Sequence, residues 1–219
     1  MSFYYEERRG CLEAIFGNLT PAVKNLIIIN AILLVATYFV GDAMYEKLAL
    51  FAFGSPFFKP WQIITHMFMH GGFWHFFFNM YTLVMFGTVL ENLWGSKKFL
   101  IFYFVTGIGA ALCHNFVMDL QIAHGASALM GVPTVGASGA IYGVLLGFAM
   151  VYPQAELRLL FFPFVPLKAK WLAVIFAVLE LIMGISANGD GIAHFAHLGG
   201  MLFAWLLIKY WKKSNKLYN

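Results

Sequence analysis

The chain has 219 residues and a formal net charge of +4; 61% are hydrophobic and only 11% charged, where soluble domains carry roughly 25% charged residues. With a mean hydropathy of +0.76, that balance excludes a soluble globular protein and leaves no length for a sizeable soluble domain beside membrane spans. The modest positive charge does not point to nucleic acid, and two scattered cysteines, Cys11 and Cys113, exclude a disulfide framework or a zinc knuckle.

Residues 1–21 read as a short polar lead-in ending at Thr20-Pro21. Glu6, Glu7, Arg8 and Arg9 precede any apolar run, so no signal peptide is expected. A first span is predicted at residues 23–40, followed by a long mixed loop at 41–60. The second span runs from about 71 to 90, and residues 91–98 turn the chain into a third span at 99–118. A Gly- and Ala-rich connection at 119–135 carries no Lys or Arg. The fourth apolar run, 139–152, has only 14 residues and so covers roughly 21 Å of a hydrocarbon core about 30 Å thick. With its polar end, Pro153 to Glu156, at one interface, Ser138 at the other end lies roughly 10 Å beneath the opposite surface. A turn holding Glu156, Arg158, Lys168 and Lys170 leads to a fifth span at 171–185. Residues 186–191 are a turn by composition, and a sixth span at 192–211 precedes a basic tail at 212–219. The expected fold class is all-α: a six-span membrane bundle, residues 22–211, with a short and partly submerged fourth helix.

Six spans place both termini on one side. That side receives twelve of the 14 Lys and Arg residues, the other only Lys47 and Lys59, so the positive-inside rule makes the termini cytoplasmic. Spans two, four and six then run inward from the outer face, and polar residues cluster in their outer halves. His75 and Asn79 are four apart on one face of span two; Ser138 opens span four; His194 and His197 lie early in span six. Polar side chains at one depth on three helices are costly unless they share an interior site. Gly139, Gly143 and Gly147 form a small-residue stripe on span four, and Ala196, Gly200 and Ala204 form another on span six. Packing these stripes together is expected to bring Ser138 to His197, the minimum for an activated serine. The helix start at Ser138, with donors from His75 and Asn79, suits an oxyanion. The chemistry suggested is acyl transfer to water.

Three motifs carry a resemblance: His66-x3-His70-x4-His75-x3-Asn79, Gly136-x-Ser138-Gly139-x-x-Tyr142-Gly143, and Ala196-His197-x-x-Gly200. In order and on alternate spans, they resemble the rhomboid family of intramembrane serine proteases from about residue 61 to 204. The resemblance implies Ser138 as nucleophile and His197 as general base of a dyad. It implies an oxyanion hole of His75, Asn79 and the Ser138 N–H, and a Tyr142 ring packed on His197, with Gly136 and Gly139 in support. It further implies that turn 186–191 caps the site, that span five takes part in substrate entry, and that substrates are membrane-anchored, single-pass proteins cut near the outer face of the cell membrane. No metal or organic cofactor is expected. Two departures stand out: Gln62 follows Trp61 where many members have arginine, and Gly147 falls one position beyond the usual small residue, leaving the register of span four against span six open.

Other readings attach to single features. His66, His70, His114, His124 and His194 fit structural hydrogen bonding, and Glu91 a structural anchor. A metal-binding membrane protein would use His66/His70 or His194/His197; it lacks an accompanying intramembrane acidic cluster and leaves the Gly-x-Ser-Gly motif unexplained. A non-catalytic scaffold binding client helices typically lacks the Ser or the His, and both are present.

Overall fold

The computed structural model describes residues 19–159, 162–186 and 193–217. Most of the lead-in and all of the predicted capping turn but Ser186 lie outside them. Six apolar helical stretches occupy the six predicted spans: α1 (Pro21–Val40); α4 (Phe73–Thr82), continued through a π-helical turn at Leu83–Gly87 into α5 (Thr88–Trp94); α6 (Ser96–Ala123); α7 (Ser138–Val151); α8 (Ala169–Ser186); and α9 (His194–Lys213). Short helices α2 (Asp42–Leu48) and α3 (Gln62–Thr65) lie in the first loop. Four stretches, α1, Phe73–Trp94, α6 and α8, are long and apolar enough to cross a membrane. Ile32, Val35, Tyr38 and Phe39 on α1, and Ile182 and Ile185 on α8, are more than half exposed. Apolar faces of that extent suit lipid rather than water; the fold is an all-α polytopic membrane protein.

Helix α6 is the central post. Phe99, Phe102 and Tyr103 are completely buried on it, and α7 and α9 pack against it through glycines. At 28 residues it outruns the predicted third span, because Asp119 does not end the helix but accepts the Gly54 N–H at 3.2 Å. The first loop is tied to this post: Asn115 Nδ2 donates to Phe51 O (2.9 Å), and His114 Nε2 meets Oγ1 (2.8 Å) of Thr134, whose backbone pairs with Leu50 of that loop. Gln62, the departure from the family pattern, is fully buried. Its Nε2 donates to Glu46 O and Phe57 O, and its Oε1 accepts the Lys59 N–H. It knits the loop together from inside. Glu91 anchors the start of α1, accepting the N–H groups of Ala22 (2.7 Å) and Val23 (2.9 Å) and the Ser96 hydroxyl. These are donors that a helix N-terminus leaves open.

Two expectations need correction. The turn between spans four and five is an antiparallel hairpin of β1 (Glu156–Leu159) and β2 (Phe162–Lys168), with Glu156 opposite Lys168 and Leu157 opposite Leu167; a free-standing pair offers only edges, where proline is tolerated. The glycine stripe of α7 serves α6 as well as α9. A Cβ on Gly143 would strike Thr106 and one on Gly147 would strike Phe102, both on α6. Gly139 reaches α9 at backbone contact: a Cβ on Gly200 would lie 1.9 Å from the Gly139 carbonyl oxygen. The position of Gly147 therefore bears on α6, while the backbones of α7 and α9 cross and touch at Gly139 and Gly200, at the level of Ser138.

Candidate functional site

That crossing sets the site. Ser138 is the first residue of α7 and His197 lies in the first turn of α9, so backbones in contact at Gly139 and Gly200 hold both side chains on one side. Ser138 Oγ is 2.8 Å from His197 Nε2. The Tyr142 ring, one turn further along α7, stacks on the His197 imidazole with centroids 4.1 Å apart and planes 2° from parallel. Gly136 turns the chain into α7 at φ +132°, a conformation open mainly to glycine. A Cβ there would also lie 2.9 Å from His75 Nε2 and 3.4 Å from Ser138 Oγ, so the missing side chain lets His75 approach. Gly139 meets the backbone of Ala196 in the same crossing.

On α4, His75 Nδ1 accepts the Gly71 N–H at 3.3 Å. That contact leaves the ring proton on Nε2, the nitrogen beside Gly136. Asn79, one turn on, is buried, and its Nδ2 has no hydrogen-bond partner among the described residues. Nearby on the first loop, His66 is buried, donates from Nδ1 to Gln62 O at 2.8 Å, and has its pKa pushed by burial from 6.5 down to about 4. Its backbone carbonyl accepts the Gly136 N–H (3.0 Å), coupling the loop to the start of α7. His66, His114 and His124 make structural hydrogen bonds. His70 is buried edge-on to His75, centroids 5.0 Å apart, and neither ring nitrogen has a side-chain hydrogen-bond partner among the described residues.

Sequence reasoning missed Glu180. It sits on α8, is 7% exposed, and faces the site rather than lipid. Tyr142 donates its hydroxyl to Glu180 Oε1, His194 Nδ1 lies 2.6 Å from Oε2, and His197 Nδ1 lies 3.0 Å from Oε1, close but off the line of a straight hydrogen bond. The signal was present: Glu180 is the one acid between residues 171 and 185, and an ionisable group in an apolar span implies a function by default. Donor atoms of Glu180, His194 and His197 lie within 4.8 Å of one another, so a carboxylate does accompany the histidine pair weighed for a metal. The pair's Nδ1 atoms, however, already face the carboxylate at hydrogen-bonding distances.

The arrangement defines a class, a polytopic helical membrane protein with a partly buried serine–histidine pair at a helix start. Residues 58–213 match the Rhomboid domain family, and the chain belongs to the rhomboid family. It is 34% identical over 159 residues to "Rhomboid protein 1, mitochondrial" of Saccharomyces cerevisiae, covering 71% of this chain and 44% of that protein. It is 28% identical over 203 residues to "Rhomboid-like protein 19" of Arabidopsis thaliana, covering 90% and 63%. It is 27% identical over 203 residues to "Rhomboid protease GluP" of Bacillus subtilis, covering 90% and 36%. The chain thus spans between 36% and 63% of the length of these relatives.

Proposed function

We propose that the chain is an intramembrane serine endopeptidase that hydrolyses peptide bonds in or near the transmembrane segments of membrane-anchored proteins. One observation carries the reading: the 2.8 Å contact between Ser138 Oγ and His197 Nε2 at the start of a helix, in a site where Asn79 Nδ2 has no hydrogen-bond partner among the described residues. In this reading Ser138 Oγ attacks the scissile carbonyl carbon as its proton passes to His197 Nε2. The carbonyl oxygen becomes an oxyanion held by the Ser138 N–H, an open donor of the first turn of α7, with His75 Nε2–H and Asn79 Nδ2–H. Collapse breaks the C–N bond, His197 returns the proton to the leaving amine, and water attacks the acyl-enzyme by the same route to release a carboxylic acid.

With six spans in the cell membrane, the charge distribution supports both termini being cytoplasmic and the site opening toward the outer face. Residues 22–211 are then the catalytic membrane domain, flanked by cytoplasmic segments 1–21 and 212–219. Substrate spans arrive as helices, while a serine attacks an extended bond. Unwinding in lipid frees backbone groups at several kcal/mol each, so substrates with glycine or proline at the cleavage depth are favoured, since these weaken a helix by about 1 and 3 kcal/mol. The test is chemical. A fluorophosphonate labels Ser138 in the purified protein, labelling requires His197, and chelators leave it intact; labelling that persists in Ser138→Ala overturns the assignment. Reversible loss of activity on chelation, restored by zinc, favours the metal-binding reading instead.

A further inference from the structure

We propose that Glu180 is a positioning residue acting through His197, so that the reactive unit is a Ser–His–Glu chain crossing α7, α9 and α8. The inference rests on the proteolytic reading of Ser138 and His197 and extends it to a third helix.

Three observations converge on it. First, a carboxylate in the middle of an apolar 18-residue helix is expensive unless its charge is met, yet Glu180 is turned into the protein rather than out along a lipid face. Second, an ionised carboxylate is acceptor only, and every polar group it meets here can donate. The Tyr142 hydroxyl donates to Oε1, His194 Nδ1–H donates to Oε2 at 2.6 Å, and His197 Nδ1 stands 3.0 Å from Oε1. Tyr142 and His194 are thus hydrogen-bonded to the carboxylate, and His197 Nδ1 faces it at ion-pair distance without a straight hydrogen bond. Third, the contacts fit what His197 has to do. For Nε2 to take the serine proton its lone pair must face Ser138, which puts the ring's own proton on Nδ1, the nitrogen that faces Glu180.

The carboxylate then selects the tautomer, holds the ring's rotation together with the Tyr142 stack, and faces the positive charge that appears on the imidazole when Ser138 loses its proton. It takes up no proton itself: the serine proton travels to Nε2 and on to the leaving amine, and Nδ1–H stays in place throughout. Tyr142 serves twice, its ring against His197 and its hydroxyl fixing Oε1, while His194 fixes the other oxygen. The bent His197–Glu180 contact is of the kind that tightens once substrate is bound.

The experiment uses the full chain in detergent and reads the second-order rate of fluorophosphonate labelling at Ser138, kcat and KM on a transmembrane substrate, and Tm. Glu180→Gln keeps the size and can still bond to Tyr142 and His194. It is expected to lower labelling and kcat together, on the order of 10²- to 10⁴-fold, with KM and Tm close to wild type. Glu180→Asp keeps the charge on a shorter arm and is expected to recover more activity than Gln. A purely structural role reverses that order, because the isosteric Gln preserves packing better than Asp. Tyr142→Phe, which retains both the stack and the carboxylate, is expected to slow labelling less than Glu180→Gln. Wild-type labelling and kcat in Glu180→Gln, or activity that follows Tm with Gln above Asp, overturns the role of Glu180 and leaves the serine–histidine reading standing. Absence of Ser138 labelling in the wild-type protein overturns both.

Discussion

Gly200→Ala tests the packing that holds the site. The added Cβ would stand 1.9 Å from Gly139 O and 2.8 Å from its carbonyl carbon. Ordinary carbon–oxygen approach begins near ~3.3 Å, so α7 and α9 must part by roughly 1.4 Å, and the obstacle is backbone that cannot rotate aside. Overpacking of this kind costs about 1–3 kcal/mol, partly offset by about 1 kcal/mol of helix propensity gained by replacing glycine. Because the obstacle is backbone, the net loss of stability lies toward the upper end of that range. Activity falls further, because Ser138 adjoins Gly139 and His197 is one turn from Gly200. Parting the helices stretches the 2.8 Å Ser138–His197 contact beyond hydrogen-bonding range, and a displacement of about 1 Å costs on the order of 10²-fold in rate. Labelling and cleavage of Gly200→Ala, measured below its lowered Tm and counted per folded molecule, should show activity falling about a hundredfold. Gly131→Ala, where an added Cβ meets nothing within 4 Å, is the neutral control. Gly143→Ala, which presses on Thr106 of α6, should lose stability more than activity. Wild-type rates in Gly200→Ala would refute the claim that this crossing sets the site.

Asn79→Ala should slow turnover with folding intact, by about 2.7–4 kcal/mol of barrier if its Nδ2 serves the oxyanion; unchanged turnover removes it from the site. Glu91→Gln places an amide among donors at the start of α1 and should cost about 1–3 kcal/mol of stability, seen as a lower Tm with the labelling rate per folded molecule unchanged. His66 supplies a pH dependence. Its folded pKa of about 4 lies below its ordinary 6.5, so the unfolded chain binds the proton first. Its contribution is whole above pH 6.5 and is lost as pH falls toward 4, on the order of 3 kcal/mol in all. Melting curves across that range should show a weaker pH slope in His66→Gln than in wild type, and equal slopes would contradict the assignment.

Much of this was legible because lipid makes polar residues conspicuous. Ser138, His75, Asn79 and His197 stand out from apolar helices, and the structure brings His197 to Ser138 and His75 beside Gly136. The short fourth helix was readable from its length alone. What the sequence concealed was direction. A small-residue stripe says that a neighbour comes close but not which one, so Gly143 and Gly147 were assigned to span six while they face Thr106 and Phe102 of α6. Glu180 escaped for a related reason: its partners Tyr142, His194 and His197 lie on other helices, and nothing along its own span announces them. The length of α6 was underread because the apolar run ends near residue 118, while the helix itself runs on to Ala123.

The most direct test is cleavage of a tagged single-pass substrate by the purified protein in liposomes, with Ser138→Ala and His197→Ala as folded controls. The account predicts a cut within or beside the substrate's transmembrane segment by the wild-type chain. Neither single variant should cut, and the double variant should be no worse than either, as expected for residues acting as one unit. Cleavage by purified Ser138→Ala at the wild-type rate would contradict it.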